Sequence, residues 1–146
     1  MMTTVKHMLD KKGHDVHSIG PDATVFDALQ MMDAYNIGAL VVLDGERLVG
    51  IVSERDYARQ IVLKGKSSSK TQVRDIMSTE VISARTDQTV EACMAVMTAR
   101  SVRHLPVLEH KRVVGLISIG DTVRTVIDDQ KFIIEQLEHY IHGHAH

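Results

Sequence analysis

The chain has one cysteine, Cys93, among its 146 residues. It can form no internal disulfide, and a reducing cytoplasm is the expected setting. No apolar run approaches the roughly 20 residues that a membrane-crossing helix needs. The opening MMTTVKHMLDKK also lacks the apolar stretch and small-residue cleavage site of a signal peptide. Neither secretion nor membrane contact is therefore expected. A basic surplus is missing too: 17 Lys and Arg face 19 Asp and Glu, for a net charge of −2, which gives no general footprint for nucleic acid.

Catalytic signatures are equally scarce. The sequence has no GxSxG, no GxxxxGK and no GxGxxG opening a helix, and no nucleophile beside a fixed base. His139, His142, His144 and His146 crowd the C-terminus, but only His139 and His142 share helical spacing, too few for a built zinc site. An enzyme is not expected, nor a metal centre. What remains is an ordinary globular composition, 44% hydrophobic and 25% charged, in a chain long enough to bury about two-thirds of its unfolded surface.

An internal repeat organises that chain. VGIVSERD returns as VGLISIGD at an offset of 65 residues from Gly50 to Gly115, and the same offset pairs Val16 with Val81, Thr24 with Thr89, Met32 with Met97, Leu40 with Leu105 and Asp56 with Asp121. In each copy apolar residues fall at i, i+3, i+4, i+7 (Val25, Ala28, Leu29, Met32; Val90, Cys93, Met94, Met97), the mark of one buried helix face. Thr24 and Thr89 stand where an N-cap hydroxyl is needed. Two β-rich runs follow, joined by DGE or EHK as hairpin turns, and then a second helix. The spacing predicts an α+β fold of two β-α-β-β-α repeats packed as a pseudo-two-fold pair, since neither copy can cover its own sheet.

The expected division is residues 1–63 for repeat 1 with its lead segment, 64–72 for a flexible polar linker (KGKSSSKTQ), and 73–142 for repeat 2. The last helix, from about Asp121 to His142, outlasts its counterpart and carries an apolar stripe from Val123 to Ile141 that suits a second subunit. Gly143 is placed to end it, leaving 143–146 as a frayed tail.

GIVSERD (Gly50 to Asp56) and GLISIGD (Gly115 to Asp121) resemble the Gly-hydrophobic-hydrophobic-Ser/Thr-x-x-Asp motif of the CBS-domain family. VKHML and VRDIM resemble the segments that lead into each unit of that family. The resemblance implies a stand-alone tandem pair, a Bateman module similar to short bacterial signalling proteins, with two clefts for adenine nucleotides. By that resemblance Asp56 takes ribose hydroxyls in one cleft, with Ile51, Val52, Ser53, Val81 and Ile82 as walls. Arg103, His104, Leu105 and Pro106 then supply the phosphate side from the other repeat. The second cleft gathers His17, Ser18, Ile19, Gly38, Ala39, Leu116, Ile117, Ser118 and Asp121. Because Gly38 and Ala39 replace the Arg103–His104 pair, the clefts are expected to be unequal, with AMP (or ADP or ATP) at Asp56 and a longer adenosyl ligand such as NAD at Asp121. A homodimer and an unidentified regulated protein complete the expected partners.

A carboxylate suits this role because it only accepts hydrogen bonds and can take two vicinal hydroxyls. Ser-x-x-Asp before an apolar run is also a helix capping box, however, in which Ser53 and Asp56 merely satisfy backbone amides. The competing reading is an interaction module with vestigial clefts, its working surface the apolar stripe of the last helix.

Overall fold

The computed structural model describes residues 3–144; Ala145 and His146, part of the expected tail, lie outside the described residues. A lead helix α1 (Val5–Lys12) precedes repeat 1, which comprises β1 (Ser18–Ile19), α2 (Val25–Tyr35), β2 (Ala39–Asp44), β3 (Arg47–Ser53) and the short α3 (Glu54–Tyr57). A π-helical turn, Ala58–Val62, extends α3. After a 3-10 turn at Val73–Asp75, repeat 2 follows as β4 (Ala84–Arg85), α4 (Val90–Arg100), β5 (His104–Glu109), β6 (Arg112–Ser118) and α5 (Ile119–His144).

Local chemistry sets these bounds. The Thr24 and Thr89 hydroxyls accept from Asp27 N and Ala92 N, both at 3.1 Å, which satisfies free amides at the starts of α2 and α4. Asn36 and Ser101 end the same helices in left-handed conformation. Each sheet has three strands, in the orders β1-β2-β3 and β4-β5-β6, with the first strand parallel and the hairpin antiparallel. The hairpins shift register by one residue, between Val42 and Leu43 and between Val107 and Leu108. Gly45 takes φ 64° at the first turn, whereas His110 and Lys111 both hold positive φ at the second.

The lead segments exchange partners. Val5, Met8 and Leu9 of α1 join the core of repeat 2 beside Ala84, Val90 and Ile117, while Val73 and Ile76 join the core of repeat 1 beside Val25, Leu40 and Val52. Backbone bonds fix the exchange: Val5 N and Lys6 N donate to Gln88 O and Thr86 O, and Ser78 N and Ile51 N bond reciprocally with Ile51 O and Ser78 O. The N-terminal segment that leads repeat 1 along the chain thus packs on repeat 2. The linker is also bonded in place, against the expectation drawn from its composition. Ser68 O and Thr71 O accept from Phe26 N and Val25 N, the free amides at the start of α2.

Glycine permits these crossings. A Cβ on Gly50 would lie 2.7 Å from Met77 Sδ and 2.9 Å from the Ser78 carbonyl oxygen, and one on Gly115 would lie 2.7 Å from a Leu9 methyl. Gly50→Ala is therefore expected to destabilise by about 1–3 kcal/mol through overpacking. Gly20→Ala, with nothing within 4 Å of the added carbon, serves as the control. Equal urea midpoints for the two variants would show that the close approach costs nothing.

The last helix differs from expectation at both ends. It begins at Ile119, because Ile119 N finds Arg103 O at 2.9 Å, and it passes through Gly143 to His144, so that glycine does not terminate it. Ile127, Phe132, Ile133, Ile134, Leu137, Tyr140 and Ile141 are all exposed along it. Among the described residues no helix is long and apolar enough to cross a membrane.

Candidate functional site

Where β3 gives way to α3, a cavity of about 620 Å³ opens between the two repeats, within the size range of small-molecule sites. One wall is the end of β3 and the start of α3. Ser53 Oγ accepts from Asp56 N at 3.3 Å, while Asp56 Oδ2 accepts from Ser53 N at 2.9 Å and from Ser53 Oγ at 3.1 Å. This is a capping box, so the structural reading of the motif holds. It consumes only half of the carboxylate: Asp56 Oδ1 accepts no hydrogen bond among the described residues. Burial pushes the Asp56 pKa above the ordinary carboxylate value, against the opposing pull of the Ser53 bonds and of Arg55 and Arg59. A half-buried carboxylate with an unused acceptor thus borders the cavity, a state that a pair of hydroxyl donors would relieve.

Repeat 2 supplies the facing wall. Arg103 is exposed, and the His104 ring lies against Gly38, 3.7 Å from where a Cβ would stand. Burial lowers the His104 pKa; nearby Asp121 pulls it up, while Lys12 and Arg103 push it further down. His104 therefore presents a neutral imidazole at pH 7 and leaves the positive charge on this wall to Arg103. Arg55 and Arg59 line the same cavity, and Arg55 spans the repeats by donating to Ser101 O at 3.2 Å.

Of the residues expected in the first cleft, Ile51, Ser53, Asp56, Val81, Ile82, Arg103, His104 and Pro106 line the cavity, as does Gly38, which was expected in the second. Val52 and Leu105 do not; each is 1% exposed and faces its own repeat's core. Strand alternation explains this, since Ile51 and Ser53 point to one face of β3 and Gly50 and Val52 to the other. The sequence reading missed Arg59, Glu54, Glu80 and Ser101, which also line the cavity. Arg59 was accessible to it, as the residue one turn beyond Asp56 and the repeat partner of Arg124.

Of the second set, Asp121 borders a separate cavity together with Lys12 and Arg124. Ile19, Ala39 and Ile117 are buried in the cores or sheets, and His17 stacks on Tyr35 with ring centroids 3.8 Å apart. Ser118 N and Oγ exchange bonds with Asp121 as in repeat 1, at 2.9 and 3.1 Å, but here the carboxylate is taken. Lys12 Nζ lies 2.5 Å from Asp121 Oδ2, and Arg124 lies 2.6 Å from Oδ1. Burial alone would raise the Asp121 pKa, yet the Lys12 and Ser118 hydrogen bonds together with the Lys12 charge hold it below the ordinary value. Equivalent motifs thus carry opposite electrostatics, and the cause is Lys12 at the end of the lead helix α1.

The sequence model of the CBS domain matches residues 5–63 and 73–128, most of the chain and both repeats. The chain belongs to the CBS domain family. The mitochondrial CBS domain-containing protein CBSX3 of Arabidopsis thaliana is 37% identical over 97% of this chain and 73% of its own length. The solved CBS-domain structure designated NE2398 is 51% identical and superposes with a TM-score of 0.84 over 87% of this chain and 99% of its own. The CBS domain pair of MJ0100, described in complex with 5′-methylthioadenosine and S-adenosyl-L-methionine, reaches a TM-score of 0.78 at 24% identity over 88% of this chain and 99% of its own. At that identity the likeness concerns the fold. The tandem CBS pair, with α5 as a long C-terminal helix, is the architecture on which the site is built.

Proposed function

We propose that this CBS pair is a regulatory module that binds an adenine nucleotide at Asp56 and relays its occupancy to a partner. The observation that carries the reading is the cavity between the repeats, with the unused Asp56 Oδ1 on one wall and Arg103 on the other. A carboxylate that can only accept matches the two ribose hydroxyls, and a guanidinium matches a phosphate. Ile51, Val81, Ile82 and Pro106 offer apolar surface between these ends for a base. AMP carries both groups, with ADP or ATP drawing further on Arg55 and Arg59. The MJ0100 pair, with its two adenosyl ligands, supports the ligand class.

The route from cleft to partner runs through Arg103. Its side chain borders the cavity while its carbonyl accepts from Ile119 N, the first residue of α5. A phosphate held by Arg103 would thus bear on the helix that carries the exposed apolar stripe. That stripe is proposed as the contact with a second copy of the chain, giving a homodimer as the unit that signals. A free, buried Cys93 is compatible with the reducing cytoplasm proposed as its location.

Calorimetric titration with AMP, ATP, NAD and S-adenosylmethionine tests the reading. AMP is expected to bind and, at 100 times its Kd, to stabilise the fold by about 2.7 kcal/mol. Absence of binding by all four would overturn it and leave the apolar stripe as the working surface.

A further inference from the structure

The two CBS motifs are equivalent in sequence, yet only one carboxylate is free. Lys12, the last residue of α1, bonds both Asp121 Oδ2 and the Leu116 carbonyl oxygen, each at 2.5 Å. Its amine has three donors, and two of them fall on the motif that would otherwise face a ligand. The backbone acceptor is informative. Leu116 is the repeat partner of Ile51, whose carbonyl instead accepts from Ser78 N at 2.9 Å. In repeat 1 that acceptor is taken by backbone and Asp56 keeps an open oxygen, whereas in repeat 2 one lysine takes the acceptor and the carboxylate together.

The lead segments explain why only one cleft is treated so. Val5, Leu9 and Lys12 stand 68 residues before Val73, Met77 and Glu80. The alignment is physical as well, since Leu9 lies over Gly115 just as Met77 lies over Gly50. The counterpart of Lys12 is therefore Glu80, which lines the Asp56 cavity and cannot pair with a carboxylate. Opposite charges at one position leave the first cleft open and fill the second.

Lys12 is also held from behind. Thr3 Oγ1 donates to Asp129 Oδ2 at 2.7 Å, Val90 N donates to Thr3 O, and Val5, Met8 and Leu9 are buried in the core of repeat 2. The lysine side chain is 37% exposed and its carboxylate 9%. Arg124, by contrast, is 71% exposed and can leave Asp121 at little cost.

We infer that Lys12 is a built-in occupant of the Asp121 cleft, so that each chain takes one nucleotide, at Asp56, until the end of α1 is displaced. The inference rests on the adenine-nucleotide reading above and adds its stoichiometry and regulation. The test is AMP stoichiometry by equilibrium dialysis on the full chain, comparing wild type, Lys12→Met (which keeps the apolar stem packed), Asp56→Ala and the double variant. With AMP at about ten times the wild-type Kd, about one AMP per wild-type chain, two per Lys12→Met chain, under about 0.1 for Asp56→Ala and about one for the double variant are expected. Two sites in the wild type, or one or none in Lys12→Met while the wild type binds, would overturn the lysine's role and leave the Asp56 reading standing. No binding by any protein would overturn both. Amine labelling followed by mass spectrometry gives a readout free of nucleotide: Lys12 should react more slowly than the exposed Lys11. Equal rates would show that the contact does not persist in solution, against the inference.

Discussion

Asp56→Ala is expected to weaken AMP binding about a hundredfold. Two ribose hydroxyls donating to a carboxylate contribute roughly 1.5–3 kcal/mol each. Loss of both, at the low end, is about 3 kcal/mol, or two decades in Kd. The fold should tolerate the change, because the carboxylate is already disfavoured in the free protein. Burial raises its pKa, so its ionised form costs stability at neutral pH rather than adding to it. What the variant loses structurally is one half of a capping box, a cost of about 1 kcal/mol.

The same shift sets the pH dependence. Hydroxyl donors favour the ionised carboxylate, so a bound nucleotide lowers the Asp56 pKa. Affinity is then full above the raised pKa of the free protein and is lost as pH falls through it toward the lower pKa of the complex. Asp56→Ala should abolish that acidic decline as well as the affinity. Calorimetry at a series of pH values checks both, and a variant that keeps wild-type affinity would mean that Asp56 only caps α3.

The parts of this molecule legible in its sequence are those fixed by local periodicity and by the repeat. The 65-residue offset runs without a gap, so Thr24 and Thr89, the paired hairpins and the two Ser-x-x-Asp motifs all fall in equivalent places. The walls of the Asp56 cavity were partly legible for the same reason. Val52 and Leu105 were misplaced although strand alternation separates them from Ile51 and His104.

The exchange of lead segments was not legible. It depends on Leu9 and Met77 reaching glycines of the other and the preceding repeat, respectively, and no local pattern records which sheet an apolar helix will cover. Lys12 belongs to the same class, since it meets Asp121 across 109 residues of chain and sits in no motif. The inequality of the clefts was expected from Gly38 and Ala39 against Arg103 and His104. The structure adds a second cause, an ion pair on Asp121 with no equivalent at Asp56 among the described residues. A repeat predicts equivalence, and corresponding positions whose residues differ, as Lys12 and Glu80 do, are free to break it.

Replacing Ile134 and Leu137 with Glu is expected to turn a dimer into a monomer. On α5 the apolar residues recur as Val126, Ile133 and Tyr140, flanked by Ile127, Ile134 and Ile141, a seven-residue spacing suited to a helix partner. Val126 packs against the core of repeat 2, whereas Ile134 and Leu137 are 54% and 57% exposed. The stripe therefore runs continuously from the fold outward onto a surface that a single chain leaves wet. Two such side chains from each of two subunits, at about 1.5 kcal/mol each or more when buried, contribute roughly 6 kcal/mol. The Kd of the dimer should then rise about four decades, from nanomolar to beyond 10 micromolar if the wild type starts there. Glu is a good helix former, so α5 should survive and circular dichroism should not change. Sedimentation velocity across a dilution series decides the matter: a monomeric wild type, or a double variant that stays dimeric, would remove the stripe from the interface. A monomeric variant whose AMP affinity also drops would add that cleft and helix are coupled through Arg103 and Ile119, because a ligand can shift an assembly only as far as the assembly shifts the ligand.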